Sequence, residues 1–295
     1  MLTNKFSSHV EIKFPLLHNI NRPATRPSKV TGCFSIEISG AILLTPELVY
    51  RNSYIIGYRD VDFNNNLRLS SLFGYFQDTA SMNVENLGIG FNTISEKYSA
   101  AWVLTKILVE IKRIPGWNEK ITVETWPHKP KKFEFDRDFR VRDENGNVIA
   151  AAISNWVLLD IKTREIRKSD IISSDYPPLQ FTEERALEGK LRKLRPFGLP
   201  EVVYRKVLGY SDTDVNGHIN NAKYIDFIMD CFSVEEHKKH TVRSIQVNYI
   251  KEVFPGDVLI LCRDVSNAGS DLVYIEGINE ADQKPVFSAE LSFGQ

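Results

Sequence analysis

The chain has 295 residues, 42% of them hydrophobic and 25% charged, with a net charge of −1. These proportions belong to a water-soluble globular protein with ample chain for a buried core. Near-neutral charge excludes bulk nucleic-acid binding, which needs a strong positive footprint, and no apolar run reaches the length of a membrane span.

Residues 1–47 carry scattered basic residues, several Ser and Thr, and few acids. The bias is faintly that of an organellar transit segment, and it also fits a poorly ordered extension, which is the expectation adopted. The expected location is cytoplasmic, or the plastid stroma if the segment is a transit peptide. A short apolar run, Ile55–Ile56, leads into GYRDVDFNNNL from Gly57. Leu69, Leu72, Phe73, Phe76, Ala80, Val84 and Leu87 then recur at spacings of three and four, which predicts a helix burying one stripe, ended by Gly88 and Gly90. Leu104–Ile111, Ile121–Trp126, Phe133–Val141 and Val148–Asp160 read as strands, with a turn at Asp143–Asn147. Asp170–Pro200 is charged and proline-bearing and reads as a linker with one short helix.

The sequence of elements then starts again. Val207–Leu208 leads into GYSDTDVNGHI from Gly209. Tyr224, Phe227, Ile228 and Cys231 have helical spacing, with Asn220 or Asn221 as the cap. Ser244–Ile250, Val258–Cys262, Leu272–Ile278 and Val286–Phe293 read as strands. The two motif copies lie 152 residues apart (Gly57 and Gly209), and the Pro-Gly pairs Pro115-Gly116 and Pro255-Gly256 lie 140 apart. The chain therefore reads as a duplication whose first half holds 12 extra residues in a loop. Each half is expected to be α+β, one helix packed on its own antiparallel sheet. The expected division is an extension at 1–47, a first half at 48–169, a linker at 170–200 and a second half at 201–295.

Asp60, Asp62 and Asn64 align with Asp212, Asp214 and Asn216, but Asn66 faces His218. Only the second copy carries a side chain that titrates near neutrality. Asp214 and Asn216 can orient an imidazole or hold a water, and they also suit plain turn chemistry. Cys33, Cys231 and Cys262 have no metal-type spacing and cannot all pair, and the six His form no zinc motif. A reducing compartment is expected, and neither a metal nor a cofactor.

The run DTDVNGHINNAKYIDFIMD, Asp212–Asp230, resembles the signature of the fatty acyl-ACP thioesterases of bacteria and plant plastids. The family pattern D-x-N-x-H-x-N-N-x-K-Y is met at Asp214, Asn216, His218, Asn220, Asn221, Lys223 and Tyr224. VNYIKEVFPGD resembles a second family block, with Glu252 at its acidic place. WVLTKILVEIKRIPGW (Trp102–Trp117) and NWVLLDIKTRE (Asn155–Glu165) resemble first-half blocks. The likeness covers about Leu48 to the C-terminus. It implies two tandem hotdog domains, each a long helix wrapped by an antiparallel sheet, and hydrolysis of the thioester between a fatty acyl chain and acyl carrier protein.

That reaction needs a base or nucleophile, an oxyanion donor and an apolar slot. On this resemblance His218 and Glu252 assist attack by water or by the carboxylate, Asn216 positions the attacking group, and Asp214 fixes the arrangement. Backbone amides near Asn220 and Asn221 are candidate oxyanion donors. Aligning the Pro-Gly pairs puts Glu252 opposite Lys112, so the acid too is absent from the first half. The family can carry Cys after this acid, and Val253 stands there instead, which excludes a Cys-His mechanism at this site. Phe76, Met82 and Trp102 are candidate pocket residues, though they suit plain core as well. Lys129, Lys131 and Lys132, or Arg192, Lys193 and Arg195, are candidates to dock an acidic carrier. An acyl-CoA thioesterase, a hydroxyacyl dehydratase, a non-catalytic acyl-binding module and a homodimer all stay open.

Overall fold

The computed structural model describes residues 48–173, 181–267 and 271–294. The expectations for 1–47 and for Cys33 fall outside the described residues. The first half runs β1 (Tyr50–Ile55), a 3-10 turn (Tyr58–Asp60), α1 (Leu69–Asn86), α2 (Phe91–Tyr98), β2 (Ala100–Ile111), β3 (Lys120–Pro127), β4 (Phe135–Arg142), β5 (Val148–Asp160) and the short β6 (Ile166–Arg167). The second runs β7 (Glu201–Val207), a 3-10 turn (Tyr210–Asp212), α3 (Asn221–Met229), α4 (Val234–Lys239), β8 (Thr241–Tyr249), β9 (Val258–Asp264), β10 (Leu272–Asn279) and β11 (Pro285–Gly294). Apart from the short β6, the order of elements is the same, as a duplication requires.

The helices form where periodicity and caps coincide. α1 buries Leu69, Leu72, Phe73, Phe76 and Ala80 on one stripe. Gly88, at φ +74°, follows its last turn in the left-handed region that favours glycine. α3 starts where Asn220 accepts a hydrogen bond from the Ala222 amide at 2.8 Å.

The antiparallel sheets of the two halves join into one. Eleven antiparallel strands run in the order β1-β3-β4-β5-β2-β8-β11-β10-β9-β7, with β6 beside β5. The halves join where β2 pairs with β8, Ile107 opposite Val247 and Val109 opposite Ile245. These four residues are at most 2% exposed. Burying each such side chain stabilises by about 1.5–3 kcal/mol, so the seam is part of a shared core. Phe73 and Phe76 of α1 and Ile225 and Ile228 of α3 lie in the same apolar cluster, and the two helices pack on each other. The hotdog arrangement of helix against antiparallel sheet is thus present twice, sharing one sheet.

The inserted segment is not a loop. Hydrogen bonds equate Lys112 and Arg113, which donate to the Ile149 carbonyl, with Ile250 and Lys251, which donate to that of Val286. Likewise the Ile56 amide donates to Glu119 as Leu208 donates to Asp257, each at 2.9 Å. This offset is 138, not 140, so the first half holds 14 extra residues against the motif offset of 152. They lengthen the first helix, 18 residues in α1 against nine in α3, and α2 packs Ile94 into a second apolar cluster with Ile89, Phe135 and Leu158.

The linker expected at 170–200 follows β6. A short 3-10 helix, Ser169–Ile172, stands at its start, and residues 181–200 contain no helix. These residues form an extended strap held by buried polar groups of the sheet. Asp138, fully buried, accepts from the Arg185 guanidinium and the Ala186 amide. Gln246 and Asn248 both donate to the Arg192 carbonyl, and Arg192 pairs with Glu290. These bonds replace the i→i−4 ladder that the sequence KLRKL would otherwise favour.

Candidate active site

Both motif loops have the same backbone skeleton. The Gly57 amide donates to the Asp60 carboxylate at 3.0 Å and Gly209 to Asp212 at 2.9 Å. The amides of Asp62 and Asp214 donate to the carbonyls of Asn66 and His218, both at 2.8 Å. Asp62 Oδ1 accepts from the Asn64 amide and Asp214 Oδ1 from the Asn216 amide, again both at 2.8 Å. These are Asx-turn bonds. Asp214 therefore holds the loop that presents His218, as its counterpart holds a loop that presents Asn66.

The chemistry gathers on the second copy. His218 Nδ1 lies 3.7 Å from Glu252 Oε1, and each side chain is about one third exposed, so solvent reaches both. The Phe254 ring meets the imidazole edge-on at 5.1 Å. The other oxygen of Glu252, Oε2, is taken by the Arg164 guanidinium, which comes from the turn after β5 in the first half. Tyr224, on α3 behind the loop, has its hydroxyl pKa raised, first by burial and then by the charges of Glu252 and Asp214. The Asn216 side chain is exposed beside the loop.

The hydrogen bonds also correct the pairing of the halves. Leu67 donates to Pro115 and Ile219 to Val253, so Glu252 stands opposite Ile114, not Lys112. The Pro-Gly pairs misled by two residues, because Phe254 rather than Pro255 occupies the place of Gly116. Ile114 packs against the core, and the first half still lacks the acid.

At the start of α3 the Asn220 amide is already bonded to the Asp212 carbonyl at 2.9 Å. Its carbonyl accepts from Lys223 and its side chain caps Ala222. Asn221 is the amide of this pair with no acceptor among the described residues.

A largely apolar pocket opens in the first half. Ile89, Phe91, Trp102, Phe135 and Trp156 line it. Trp102 is fixed there by its indole N–H, which donates to the Ile89 carbonyl at 3.0 Å, and by edge-on contact with Phe135. The other two candidates lie elsewhere. Phe76 points into the core against Phe139, and Met82 is exposed on the far side of α1, its sulfur accepting from Asn52. Turns of α1 that differ by 100° per residue face different neighbours, which hydrophobicity alone does not distinguish.

Residues 47–174 match the sequence model of the acyl-ACP thioesterase N-terminal domain, and residues 205–286 match that of the C-terminal domain. The chain belongs to the acyl-ACP thioesterase family. It is 26% identical over 228 residues to oleoyl-acyl carrier protein thioesterase 2, chloroplastic, of Arabidopsis thaliana, covering 71% of this chain and 61% of that protein. It is 28% identical over 222 residues to the palmitoyl-acyl carrier protein thioesterase, chloroplastic, of the same plant, covering 72% and 54%. The chain thus spans little more than half the length of these relatives. An acyl-ACP thioesterase from Bacteroides thetaiotaomicron superimposes with a TM-score of 0.75 at 25% identity, over 83% of this chain and 98% of that one. The 12:0-ACP thioesterase of Umbellularia californica shares the fold, with a TM-score of 0.71 at 22% identity over 84% and 98%.

In this member of the acyl-ACP thioesterase family the place after the acid is filled by Val253, which is fully buried. Cys231 is buried in the turn after α3, its thiol donates to the Phe227 carbonyl, and burial pushes its pKa up to about 12. Burial raises Cys262 in the same direction. Of the basic clusters, Lys131 is tied to Asp136 and Arg192 to Glu290. Lys129, Lys193 and Arg195 are exposed without an acidic partner among the described residues. No helix among the described residues is long and apolar enough to cross a membrane.

Arg164 is the residue that sequence reasoning missed. It lies in the NWVLLDIKTRE block, but nothing in its local pattern distinguishes it from other turn arginines. Its relevance is tertiary, 88 residues from Glu252.

Proposed function

We propose that this protein hydrolyses the thioester of a fatty acyl chain carried on acyl carrier protein, releasing free fatty acid. The observation that carries the proposal is the meeting of His218 and Glu252 on the second copy of a scaffold whose first copy has Asn66 and Ile114. Membership of the acyl-ACP thioesterase family supports it.

His218 acts as the general base on water. A carboxylate facing Nδ1 favours the tautomer protonated there and leaves Nε2 to accept a proton from the attacking water. The 3.7 Å separation exceeds a hydrogen bond, as is common before substrate tightens a site. Glu252 has one oxygen on Arg164, which favours an orienting role over direct attack on the carbonyl. Asn216 positions the water or thioester, Asp214 fixes the loop, and the Asn221 amide at the N-terminus of α3 meets the developing oxyanion. Asn220 serves as the cap that aims that amide. The acyl chain enters the pocket lined by Trp102.

The partner is an acidic carrier, which Lys129, Lys193 and Arg195 are placed to attract. The compartment is a reducing one, cytoplasmic or stromal, in keeping with two unpaired cysteines. The test is free-thiol release from a panel of acyl-carrier and acyl-CoA substrates. Release from the carrier thioesters at the higher kcat/KM supports the proposal, and preference for CoA thioesters or absence of release contradicts it.

A further inference from the structure

We infer that Arg164, on the half without the reactive pair, is a positioning residue of the active site, acting through Glu252. The inference rests on the hydrolase assignment above and adds a residue that the repeated motif does not contain. Three observations carry it. First, the Arg164 guanidinium holds Glu252 Oε2, and Oε1 of the same carboxylate is the atom that faces His218. A carboxylate is a rigid plane, so anchoring one oxygen sets the direction of the other.

Second, the turn that carries Arg164 is built to hold it. The Arg164 amide donates to the Asp160 carbonyl at 3.0 Å, and the Asp160 amide donates to the Glu165 carbonyl at 2.8 Å. The Asp160 carboxylate accepts from the amides of Lys162 and Thr163, both at 2.9 Å, and from Arg167. Arg164 itself has φ +62°. An arginine gains nothing locally from the left-handed region, and such backbone persists where its surroundings over-determine it. Here the ordered turn fixes the origin of the long side chain.

Third, the turn couples the pair to the pocket. Asp160 pairs with Ala100 across β5 and β2, two residues before Trp102. The β2–β5 ladder therefore connects the wall of the apolar slot with the carboxylate behind the imidazole. The opposite motif loop also leans across the seam, since the Asn64 side chain donates to the His237 carbonyl of α4. Of these two contacts between the halves, only that of Arg164 reaches a reactive side chain. Substrate pocket and proton transfer are thereby held in register by a residue of the supporting half.

The test compares steady-state thiol release by the full-length wild type, Arg164→Ala, Arg164→Lys, Glu252→Gln and the double variant Arg164→Ala/Glu252→Gln, with folding checked by circular dichroism. A misplacement of about 1 Å in a reacting group costs on the order of 10²-fold. Arg164→Ala is expected to lower kcat by roughly 10- to 100-fold with KM within about twofold, and Arg164→Lys to recover part of the loss. The double variant is expected to be no slower than Glu252→Gln alone, because residues acting as a unit are non-additive. Unchanged or increased kcat in Arg164→Ala, a loss confined to KM, or full additivity in the double variant would overturn the inference while leaving the hydrolase assignment standing. A wild type that releases no thiol from any substrate overturns that assignment and the inference with it.

Discussion

The two halves differ less in backbone than in what the backbone presents. The loop before α1 and the loop before α3 repeat the same Gly–Asp and Asp–Asn hydrogen bonds to within about a tenth of an ångström. On that common skeleton one half carries Asn66 and Ile114 and the other His218 and Glu252. The first half has instead a helix twice as long, an α2 of eight residues against six in α4, and the apolar pocket. The difference separates two things often conflated in a conserved-looking motif. The Asp and Asn residues make the loop, and the loop makes chemistry only where a titratable pair stands on it. On the proposed function, duplication has let one half keep the reaction while the other is shaped around the acyl chain and supplies Arg164.

This comparison can be broken at several points. The largest effect is expected at Glu252. Glu252→Gln keeps shape and hydrogen bonding but removes the charge behind His218, and the expected fall in kcat is about 10²–10⁴-fold with acyl binding retained. The equivalent change in the first half, Ile114→Ala, is expected to cost only stability. Near-normal turnover of Glu252→Gln would return it to a surface charge.

A smaller effect is expected in the pocket. Trp102→Ala removes the wall next to Phe135, so kcat/KM should fall by roughly 10-fold for long acyl chains and less for short ones, each methylene being worth about 1–3 kcal/mol. Equal losses for all chain lengths would mean that the slot does not hold the chain. The smallest effect on catalysis is expected at the thiols. Cys231→Ala should leave turnover per folded molecule within about twofold, because a thiol with a pKa near 12 and no access to the site is not a nucleophile. Trimming this packed residue should lower stability by about 1–2 kcal/mol, read by thermal unfolding. A well-folded Cys231→Ala protein without activity would show that a thiolate does the chemistry.

Much of the fold was legible because its signals are local. Val148–Asp160 reads as a strand from its β-rich run and is one from end to end, and the Leu69–Leu87 stripe gives α1 to within a residue. The merging of the sheets was not legible, since the β2–β8 seam depends on which edges meet, and alternation only says which face is buried. α2 was hidden because eight residues with a single buried Ile94 carry too short a period. The path of the strap at 181–200 was not legible, because buried Asp138, Gln246 and Glu290 hold it from a distance. In the site, the motif located His218 and its loop, and the acidic block located Glu252. The two-residue error in pairing the halves came from a shared Pro-Gly dipeptide that stands at different places in two loops with equivalent hydrogen bonds. Phe76 and Met82 were separated from Trp102 only by the direction each side chain takes. Arg164 needed the tertiary structure altogether.

The central claim is that one half works and the other supports. It is tested most directly by turnover per folded molecule for His218→Ala and Asn66→Ala, two changes at equivalent positions of one scaffold, on the same acyl-carrier substrate. The account expects His218→Ala to lose at least about 10²-fold in kcat and Asn66→Ala to stay within about threefold of wild type. Comparable losses in two well-folded variants would contradict it.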